Sequence, residues 1–499
     1  MPVSFASTTQ ETNPFSLNRG LWDKEEWIRK LGDDYGTYIY TKPYSTTLSA
    51  AFDTSGLAAY WNALRVLEIG DANTVVNLPE DVHILGNLSI GKSWFVRPCY
   101  PLLLEKCLEI IAEPTTPHLV ILGNPGIGKT YFGYFLLHYF AKNNHTVVYE
   151  RGKSNERYLF CSGVISWGSQ SDFVPYLHDP NTIYIVDAFK PVDVAAKTIL
   201  LSSPLWSKEE IQACRALLYA SLSADDVDEL YSKWGGVPKF VLENARDIFQ
   251  QKKLDSAILS VDLDGLVKAI GNPDVYDLPA HRLVHITVLD DFIYVTYAFA
   301  SDYVADAVYS RLYVSKRQQL LNFIAASDSF GDLGVIRGVL FERFAHSIIQ
   351  NGGTFKVREL FENSTRGPDE EVIFEPSRLV VFEQELEDIG DDNVYEKPKT
   401  KIYEAVDSFI RKIAAMFQMT GARYHPPKQA GVHKVLNLMN NPEHPRLYFV
   451  VPKDRFTNFS YQKYVGANGQ KLETGLSYRN VQKVRQFVLS IDVTSYAKR

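Results

Sequence analysis

The chain has 499 residues, of which 45% are hydrophobic and 22% charged, and its net charge is -7. These proportions exclude a disordered or fibrous protein, and at roughly 150 residues per domain the length predicts about three domains. No apolar run approaches the roughly 18 residues that span a bilayer. The N-terminus, MPVSFASTTQETNPFSL, lacks the basic start and apolar core of a standard secretory signal. We therefore expect no membrane contact, and export would need another route.

A glycine-rich loop lies between a strand pattern and a helix pattern. HLVILG (118–123) is typical of a buried parallel strand, and TYFGYFLLHYF (130–140) of a buried helix. The intervening G-x-x-x-x-G-K-T predicts a loop whose N–H groups and helix dipole hold the phosphates of ATP. We expect Lys129 to contact the β- and γ-phosphates and Thr130 to ligate Mg²⁺. The residues expected around the nucleotide are Gly123, Asn124, Pro125, Gly126, Ile127, Gly128, Lys129, Thr130 and Tyr131.

A carboxylate is also needed at the end of a neighbouring strand to hold the magnesium ion through water. TIYIVDAF (182–189) supplies it at Asp187, which with Lys129 forms the expected catalytic pair. The next residue is Ala188, where many ATPases of the AAA and STAND type have a glutamate that activates water. The hydrolytic base therefore stays unassigned, and we expect slow turnover.

Two more residues are candidates for sensing the nucleotide. Ser203 ends a third strand pattern, KTILLSSP (197–204), and either senses the γ-phosphate or caps a turn. A helix from about Ser223 ends at Gly235, and Lys239 follows shortly after it. Lys239 either points its ammonium at the nucleotide from a lid or is an ordinary surface lysine.

The middle of the chain predicts a connector. HRLVHITVLDDFIYVTYAFAS (281–301) alternates as two strands about an Asp-Asp turn, and a helical run from Asp302 to Phe323 follows. The residues of this region indicate no particular chemistry, but the region is suited to transmitting the state of the nucleotide to the rest of the chain.

A second site is predicted nearer the C-terminus. Glu342 lies in a helix pattern (338–350), and a strand, TFKVREL, follows. KIYEAVDSFI is read as a half-buried strand with Asp407, and KIAAMFQMT as the next strand with Gln418. Carboxylate and amide oxygens brought together there would bind Mg²⁺, with Glu342 and Asp407 as ligands, and activate water for phosphodiester cleavage. The acidic stretch before these strands has two β-like runs, EVIFE and RLVVFEQELE, which predict a hairpin or an insertion.

Charge is unevenly distributed along the chain. From Tyr395 onward there are 18 Lys and Arg against 7 Asp and Glu, so this part is basic and the remainder is acidic. Cations interleaved with rings are typical of a nucleic-acid groove, although a solvated basic face is the other interpretation. The residues concerned are Lys397, Lys399, Lys401, Arg411, Lys412, Arg423, Lys428, Lys453, Arg455 and Lys463, with Tyr403, Tyr424, Phe456 and Tyr461.

The order of these segments resembles a known family. FVRPCYP, GNPGIGKT, IYIVDA, LLSSP and WGGVPKFVLENA are similar to the NTPase module of Crinkler-type effectors and of retrotransposon hot spot proteins. GVLFERFAHSIIQNGGTFKVREL and YEAVDSFIRKIAAMFQMTGARYH resemble the nuclease-like module joined to it, so the resemblance covers about residues 75–460. It implies secreted proteins that act in the host nucleus. The ubiquitin-like leader with an LFLAK motif, found in many Crinklers, is not recognisable in residues 1–70.

The resemblance also implies the architecture. We expect an α/β protein with an AAA/STAND-like P-loop NTPase domain, a bridging region and a restriction-nuclease-like α/β domain of PD-(D/E)xK type. The corresponding ranges are 1–75 (unassigned), 76–250 (NTPase with helical lid), 251–330 (bridge) and 331–499 (basic, DNA-binding). The nuclease pattern has a lysine where this chain has Thr420, so Lys412 or Lys428 would have to substitute, or the domain binds without cutting.

Three functions follow from this interpretation. The first is an ATP-dependent effector directed at DNA, which cuts it with Mg²⁺. The second is a nucleotide-switched protein that docks on DNA or on a host protein without catalysis. The third is a P-loop enzyme that makes or transfers a nucleotide. ATPases of this type often form homo-oligomers with an arginine supplied by the neighbouring copy.

Overall fold

The computed structural model describes most of the chain from residue 54 onward. The described ranges are 54–112, 118–120, 123–151, 156–187, 197–200, 204–271, 279–288, 295–326, 333–363, 365–383, 393–399, 405–466, 468–472 and 477–497. Ala188, Ser203, Lys401 and Tyr403 lie outside them, so the expectations for these residues stay predictions.

The described residues form both helices and strands, the latter in several sheets, as expected for the α/β class. The helices are α1 (Ser55–Val66), α2 (Tyr100–Ala112), α3 (Lys129–Lys142), α4 (Val174–Leu177), α5 (Lys208–Leu218), α6 (Ala224–Trp234), α7 (Ile248–Leu259), α8 (Leu263–Gly271), α9 (Asp302–Ser315), α10 (Arg317–Ala325), α11 (Gly334–Gln350), α12 (Gln429–Leu438), α13 (Lys453–Phe456) and α14 (Val493–Ala497). The strands are β1 (Thr74–Asn77), β2 (Ser93–Val96), β3 (His118–Val120), β4 (Val147–Arg151), β5 (Glu156–Cys161), β6 (Val164–Gly168), β7 (Ile183–Asp187), β8 (Lys197–Leu200), β9 (Val284–Val288), β10 (Val295–Phe299), β11 (Gly353–Leu360), β12 (Arg366–Phe374), β13 (Arg378–Phe382), β14 (Val394–Pro398), β15 (Ser408–Ile410), β16 (Ala415–Met419), β17 (Arg446–Pro452) and β18 (Arg485–Ile491).

The first large sheet has six strands in the order β3-β8-β7-β4-β5-β6. The strands from β3 to β4 are parallel, and β5 and β6 are antiparallel additions at one edge. The predicted buried helix is present as α3, which follows β3 and the glycine-rich loop. Its apolar residues pack with those of α1, α2 and the sheet, so residues 55–66 belong to this core although the sequence suggested no role for them.

A helical segment and a hairpin follow the first sheet. Helix α6 begins after Ser223, whose hydroxyl accepts the Asp226 N–H, and it ends at Gly235 as predicted. A turn of π-helix, Lys239–Glu243, comes next. Strands β9 and β10 pair antiparallel, which confirms the two-strand prediction. The predicted helical run is present as α9 and α10, broken at Lys316.

The second large sheet has eight strands in the order β12-β11-β18-β17-β16-β15-β14-β13. Strands β14, β15 and β16 form an antiparallel meander, and α12 then connects β16 to its parallel neighbour β17. Helix α11 covers one face of the sheet and α12 the other.

Of the two alternatives for EVIFE and RLVVFEQELE, a hairpin or an insertion, the hairpin is wrong. These runs lie in β12 and β13, which are the two opposite edges of the sheet. Only three residues connect Phe374 to Arg378, whereas eight flat strands would separate the edges by about 33 Å. The sheet must therefore curl so that its edges approach at this end. The Phe374 ring accordingly packs against Phe417 of β16 and Tyr448 of β17.

A continuous hydrophobic cluster joins α5, α6 and the turn Lys239–Glu243, which together we call the lid, to the C-terminal sheet. It runs from Trp206 and Trp234 through β9, β10 and α9 to α11 and the adjacent face of the sheet. The region that the sequence marked as a connector is thus packed into the same core as the C-terminal domain.

Candidate functional site

The glycine-rich loop turns sharply between β3 and α3. Gly126 and Gly128 have φ of +85° and +88°, a left-handed backbone conformation that residues other than glycine rarely adopt. Helix α3 begins at Lys129, so its N–H groups open toward the loop. The Lys129 ammonium donates to the carbonyl oxygens of Gly123 and Asn124 at 2.9 and 3.0 Å, which places its charge over the loop.

Thr130 and Asp187 meet at the carboxyl edge of the sheet. The Thr130 hydroxyl donates to Asp187 Oδ2 at 2.7 Å. The sequence placed Asp187 on a strand neighbouring β3, and in this detail the expectation is wrong, because β8 lies between β3 and β7. The two side chains nevertheless come together, since α3 starts at the same edge of the sheet where β7 ends.

Burial perturbs both ionisable groups of this site. Removal from water lowers the pKa of Lys129 to about 8, and the negative charge of Asp187 opposes that shift. Burial likewise raises the pKa of Asp187 above its usual range, against the opposing hydrogen bond from Thr130 and the charge of Lys129. A lysine and an aspartate with shifted pKa values beside a left-handed loop make this a candidate functional site.

Three neighbours fix the loop from outside. Asn124 exchanges two hydrogen bonds with the backbone of Ile286 in β9, both 2.7 Å long. The Trp206 indole N–H donates to the Ile127 carbonyl oxygen at 2.8 Å. The backbone N–H of Lys239 donates to the Gly126 carbonyl oxygen at 3.3 Å. Asn124 is thus engaged with the connector, a role that the loop pattern alone did not suggest.

Trp206 is itself clamped by a buried arginine that comes from the start of the domain. The Arg97 guanidinium lies 4.8 Å from the centre of the Trp206 ring. It pairs with Glu210 and donates to the carbonyl oxygens of Pro204 and Leu205. This arrangement ties the FVRP segment to the loop through Trp206.

The remaining nucleotide candidates lie around the loop. Lys239 is exposed, and a Cβ added to Gly126 would come within 2.8 Å of its Cβ, so the lid touches the loop here. Pro125 is exposed, and Tyr131 presents part of its ring to solvent. Sequence reasoning missed Arg151, which ends β4 directly opposite Asp187 in the parallel ladder. The signal for Arg151 was its position at the end of the strand pattern VVYER, just as Asp187 ends IYIVD.

The second predicted site gathers around a buried tyrosine. The Tyr395 hydroxyl accepts from Ser408 Oγ at 2.6 Å and lies 2.7 Å from His346 Nδ1, one helical turn after Glu342. Burial raises the pKa of Tyr395, and the negative charges of Asp407 and Glu342 raise it further. Both predicted carboxylate ligands, Glu342 and Asp407, thus act electrostatically on the same buried hydroxyl group.

Gln418 faces the other side of the sheet. Phe417 and Met419 pack with α11, whereas Met416 packs with α12. Because strand residues alternate between faces, Gln418 points with Met416 toward α12. The prediction that Glu342, Asp407 and Gln418 converge on one face is therefore wrong for Gln418, because Glu342 belongs to α11 on the opposite face.

Asp407 is hydrogen-bonded to the backbone of β16. It precedes β15 instead of lying within a regular strand, and its Oδ2 accepts the Met419 N–H at 2.7 Å. Gln418 Oε1 is buried, and no described residue forms a hydrogen bond with it. Among the described residues, no group of three or more His, Cys, Asp and Glu side chains is arranged to hold a metal ion.

The basic C-terminal segment is partly neutralised within the protein. Lys399 pairs with Glu383, and Arg411 pairs with the buried Glu396. Lys453 likewise pairs with Asp492. Phe456 is buried in the core, so its expected role as a base-stacking ring is wrong. Tyr424, by contrast, is 66% exposed in the loop after β16.

Comparison with known proteins gives two similar sequences. Crinkler effector protein 15 of Phytophthora infestans is 24% identical over 400 residues, and Crinkler effector protein 16 of the same organism is 23% identical over 400 residues. Each alignment covers 73% of this chain and 64% of the relative, so the chain spans a little under two thirds of their length. No protein-family model matches the chain, and no solved structure matches it. Among the described residues, no helix is both long and apolar enough to cross a membrane. These similarities support the interpretation of this chain as a Crinkler-type effector.

Proposed function

We propose that the chain is a Crinkler-type effector that binds and hydrolyses ATP at the glycine-rich loop and acts on DNA through its C-terminal domain. The observation that carries the first part is the hydrogen bond of 2.7 Å between Thr130 and Asp187, beside the ammonium of Lys129. Hydroxyl, carboxylate and ammonium groups at the start of a helix are the set that nucleotide phosphates and their cation require.

Residues in and around the loop have different roles in this proposal. The oxygens of Thr130 and Asp187 fit a magnesium ion, which takes few protein ligands and otherwise water and phosphate. Bound there, magnesium would neutralise charge on the phosphates. Lys129 exchanges its carbonyl partners for phosphate oxygens, and the N–H groups of α3 face the same anion. Trp206 and Asn124 keep the loop in the shape that receives it.

ATP binding and hydrolysis by the purified chain test this part. Lys129→Ala should abolish both, because it removes the cation placed over the loop. Asp187→Ala should abolish turnover with magnesium and leave weaker nucleotide binding. Lys142→Ala, at the far end of the same helix and paired with Glu68 on the surface, is the matched control and should behave as the unmodified chain. Equal turnover in all four proteins would contradict the proposal.

The C-terminal domain is proposed to bind and cut DNA. The proposal is supported by the antiparallel pairing of β15 with β16, in which Ser408 is opposite Phe417, so that the preceding Asp407 and the following Gln418 are neighbours. The carboxylate of Asp407 and the amide oxygen of Gln418 are of the type that fits magnesium, which often needs no more than one or two protein oxygens. The following loop offers Arg423, the exposed Tyr424 and Lys428 to phosphates and bases.

Nicking of supercoiled plasmid with Mg²⁺ tests the cutting step. Asp407→Ala should abolish nicking and leave DNA affinity nearly unchanged, because affinity comes mainly from cations. Glu443→Ala, which removes an exposed carboxylate of the same domain, should nick normally. If the unmodified chain binds plasmid but cuts it under no metal condition, cutting is excluded.

One observation favours a second function, a nucleotide-switched DNA-binding protein without nuclease activity. Thr420 occupies the position at which the resemblance implies a lysine, and a missing lysine would cripple cleavage. In either case we propose that the protein acts inside a host cell after export, and in the nucleus if DNA is its target.

A further inference from the structure

The residue that replaces the expected lysine is paired with a histidine. Thr420 is 5% exposed and follows Gln418 on the same face of its strand. Its hydroxyl oxygen lies 3.0 Å from His425 Nδ1 and also accepts the Ala422 N–H at 3.0 Å. The loop after β16 therefore folds back and returns an imidazole to the position of the lysine.

The position of His425 is fixed by buried amides, not only by its loop. Its backbone N–H donates to Gln462 Oε1 at 2.7 Å, and Gln462 is fully buried. Gln462 in turn exchanges two hydrogen bonds with Gln486 of β18, at 3.0 and 2.9 Å. Such a scaffold of buried hydrogen bonds holds the ring in one place relative to β16.

The histidine shares its end of β16 with the proposed DNA-cutting residues. Asp407 accepts the N–H of Met419, which lies between Gln418 and Thr420. The Gln418 amide oxygen, buried and without a described hydrogen-bond partner, lies on the same face as Thr420. A carboxylate, an amide oxygen and an imidazole thus lie at the same end of β16.

The lysines suggested from the sequence are less well placed. Lys412 lies in the turn that precedes Ala415, at the opposite end of β16, and Ala415 is itself about 16 Å from Thr420 along the strand. Lys428 adjoins the N-terminus of α12, where its backbone caps the helix. Arg455 reaches the loop, but its Nε donates to the Gly421 carbonyl oxygen at 3.1 Å.

We propose that His425 is the residue that activates water at this site, in place of the lysine, an inference that rests on the proposed DNA cleavage. With Nδ1–H donated to Thr420, the Nε2 lone pair takes a proton from water as the water oxygen bonds to phosphorus. The bond from phosphorus to the departing sugar oxygen breaks, and that oxygen takes a proton from solvent. The imidazolium then releases its proton to solvent, which restores the histidine.

Plasmid nicking by the full chain tests this role. His425→Ala should slow nicking at least 100-fold, the lower range for loss of a general base, with DNA affinity and melting temperature unchanged. Free imidazole in the buffer should recover at least tenfold of that loss, which a purely structural histidine would not allow. Thr420→Lys in the His425→Ala background should also restore nicking. His433→Ala is the control, because His433 is a half-buried histidine of α12 that stacks on Tyr478.

The outcomes separate this inference from the proposed function. If the unmodified chain nicks and His425→Ala nicks at the same rate, the histidine has no such role while the nuclease proposal stands. Loss of nicking without recovery by imidazole, together with a lowered melting temperature, would assign His425 a structural role and overturn the inference. If the unmodified chain cuts no DNA, both proposals fall.

Discussion

Asn124 and Ile286 exchange two hydrogen bonds across the boundary between the glycine-rich loop and the connector. The Asn124 amide donates to the Ile286 carbonyl oxygen and accepts the Ile286 N–H, both at 2.7 Å and both buried. They are 162 positions apart in the chain. Strand β9 pairs with β10, which packs beside α11 in the same core. We therefore expect a displacement of the loop to reach the helix that bears Glu342.

The first prediction follows from this contact. Asn124→Ala leaves the N–H and C=O of Ile286 buried without their partner, so the free energy of unfolding should fall by about 2–4 kcal/mol. Hydrogen exchange should in addition show that nucleotide no longer protects β9 and β10. Asn181→Ala, which removes a surface asparagine bonded to Asp179, should change neither. A protein in which Asn124→Ala keeps nucleotide-dependent protection of the hairpin would contradict the coupling.

A second prediction concerns the contact between loop and lid. In Gly126→Ala the new Cβ would lie 2.8 Å from Lys239 Cβ, at a φ of +85°. The lid must move, and we expect ATP affinity to fall at least tenfold. Gly163→Ala has the same φ but open space around it, so it should cost only the backbone strain of about 1–2 kcal/mol. Equal ATP binding by the two variants would show that the lid contact is irrelevant.

The third prediction is a pH dependence of nucleotide binding. The pKa of Lys129 is lowered to about 8 by burial, so the free protein loses this positive charge as pH rises through about 8. ATP affinity should therefore fall between pH 7 and 9.5, and binding near pH 8 should take up a proton. Calorimetry in buffers of different ionisation enthalpy measures that uptake. Lys129→Arg keeps its charge in this range, and its affinity should stay flat.

A fourth prediction concerns acid stability. Burial lowers the pKa of His285 to about 4, and a Cβ on Gly235 would lie 3.6 Å from its Nδ1. The unfolded state, with a pKa near 6.5, binds the proton first. Stability is therefore complete above about pH 6.5 and falls as the pH drops toward 4, by up to about 3 kcal/mol. Urea unfolding at pH 7 and pH 4.5 measures the loss, and His285→Leu should remove this part of it.

The fifth prediction tests the proposed DNA interface. Each phosphate contact contributes about 0.9 to the slope of log affinity against log salt. The double variant Arg423→Ala with Lys428→Ala should therefore lower the slope by roughly 2. Lys399→Ala removes a cation that is paired with Glu383 at the edge strand β13, and the slope should hardly change. Binding that does not depend on salt in the unmodified chain would argue against a phosphate-tracking surface.

The sequence by itself determined the local elements. The loop between β3 and α3, the end of α6 at Gly235 and the hairpin β9–β10 all follow from patterns of a few neighbouring residues. Apolar periodicity, glycine and capping residues act over one or two turns of chain, so they are readable without the fold. Lys129, Thr130 and Asp187 were singled out on that basis.

Only the tertiary structure decided which distant residues meet. The insertion of β8 between β3 and β7, the placement of β12 and β13 at opposite edges, and the return of His425 to Thr420 depend on pairing between remote segments. The same holds for the face of Gln418 and for the burial of Phe456. A short polar side chain such as that of Asn124 reads as a loop residue in sequence. Its contact with Ile286 exists because packing brings two buried backbone groups to it, and buried polar groups must find partners.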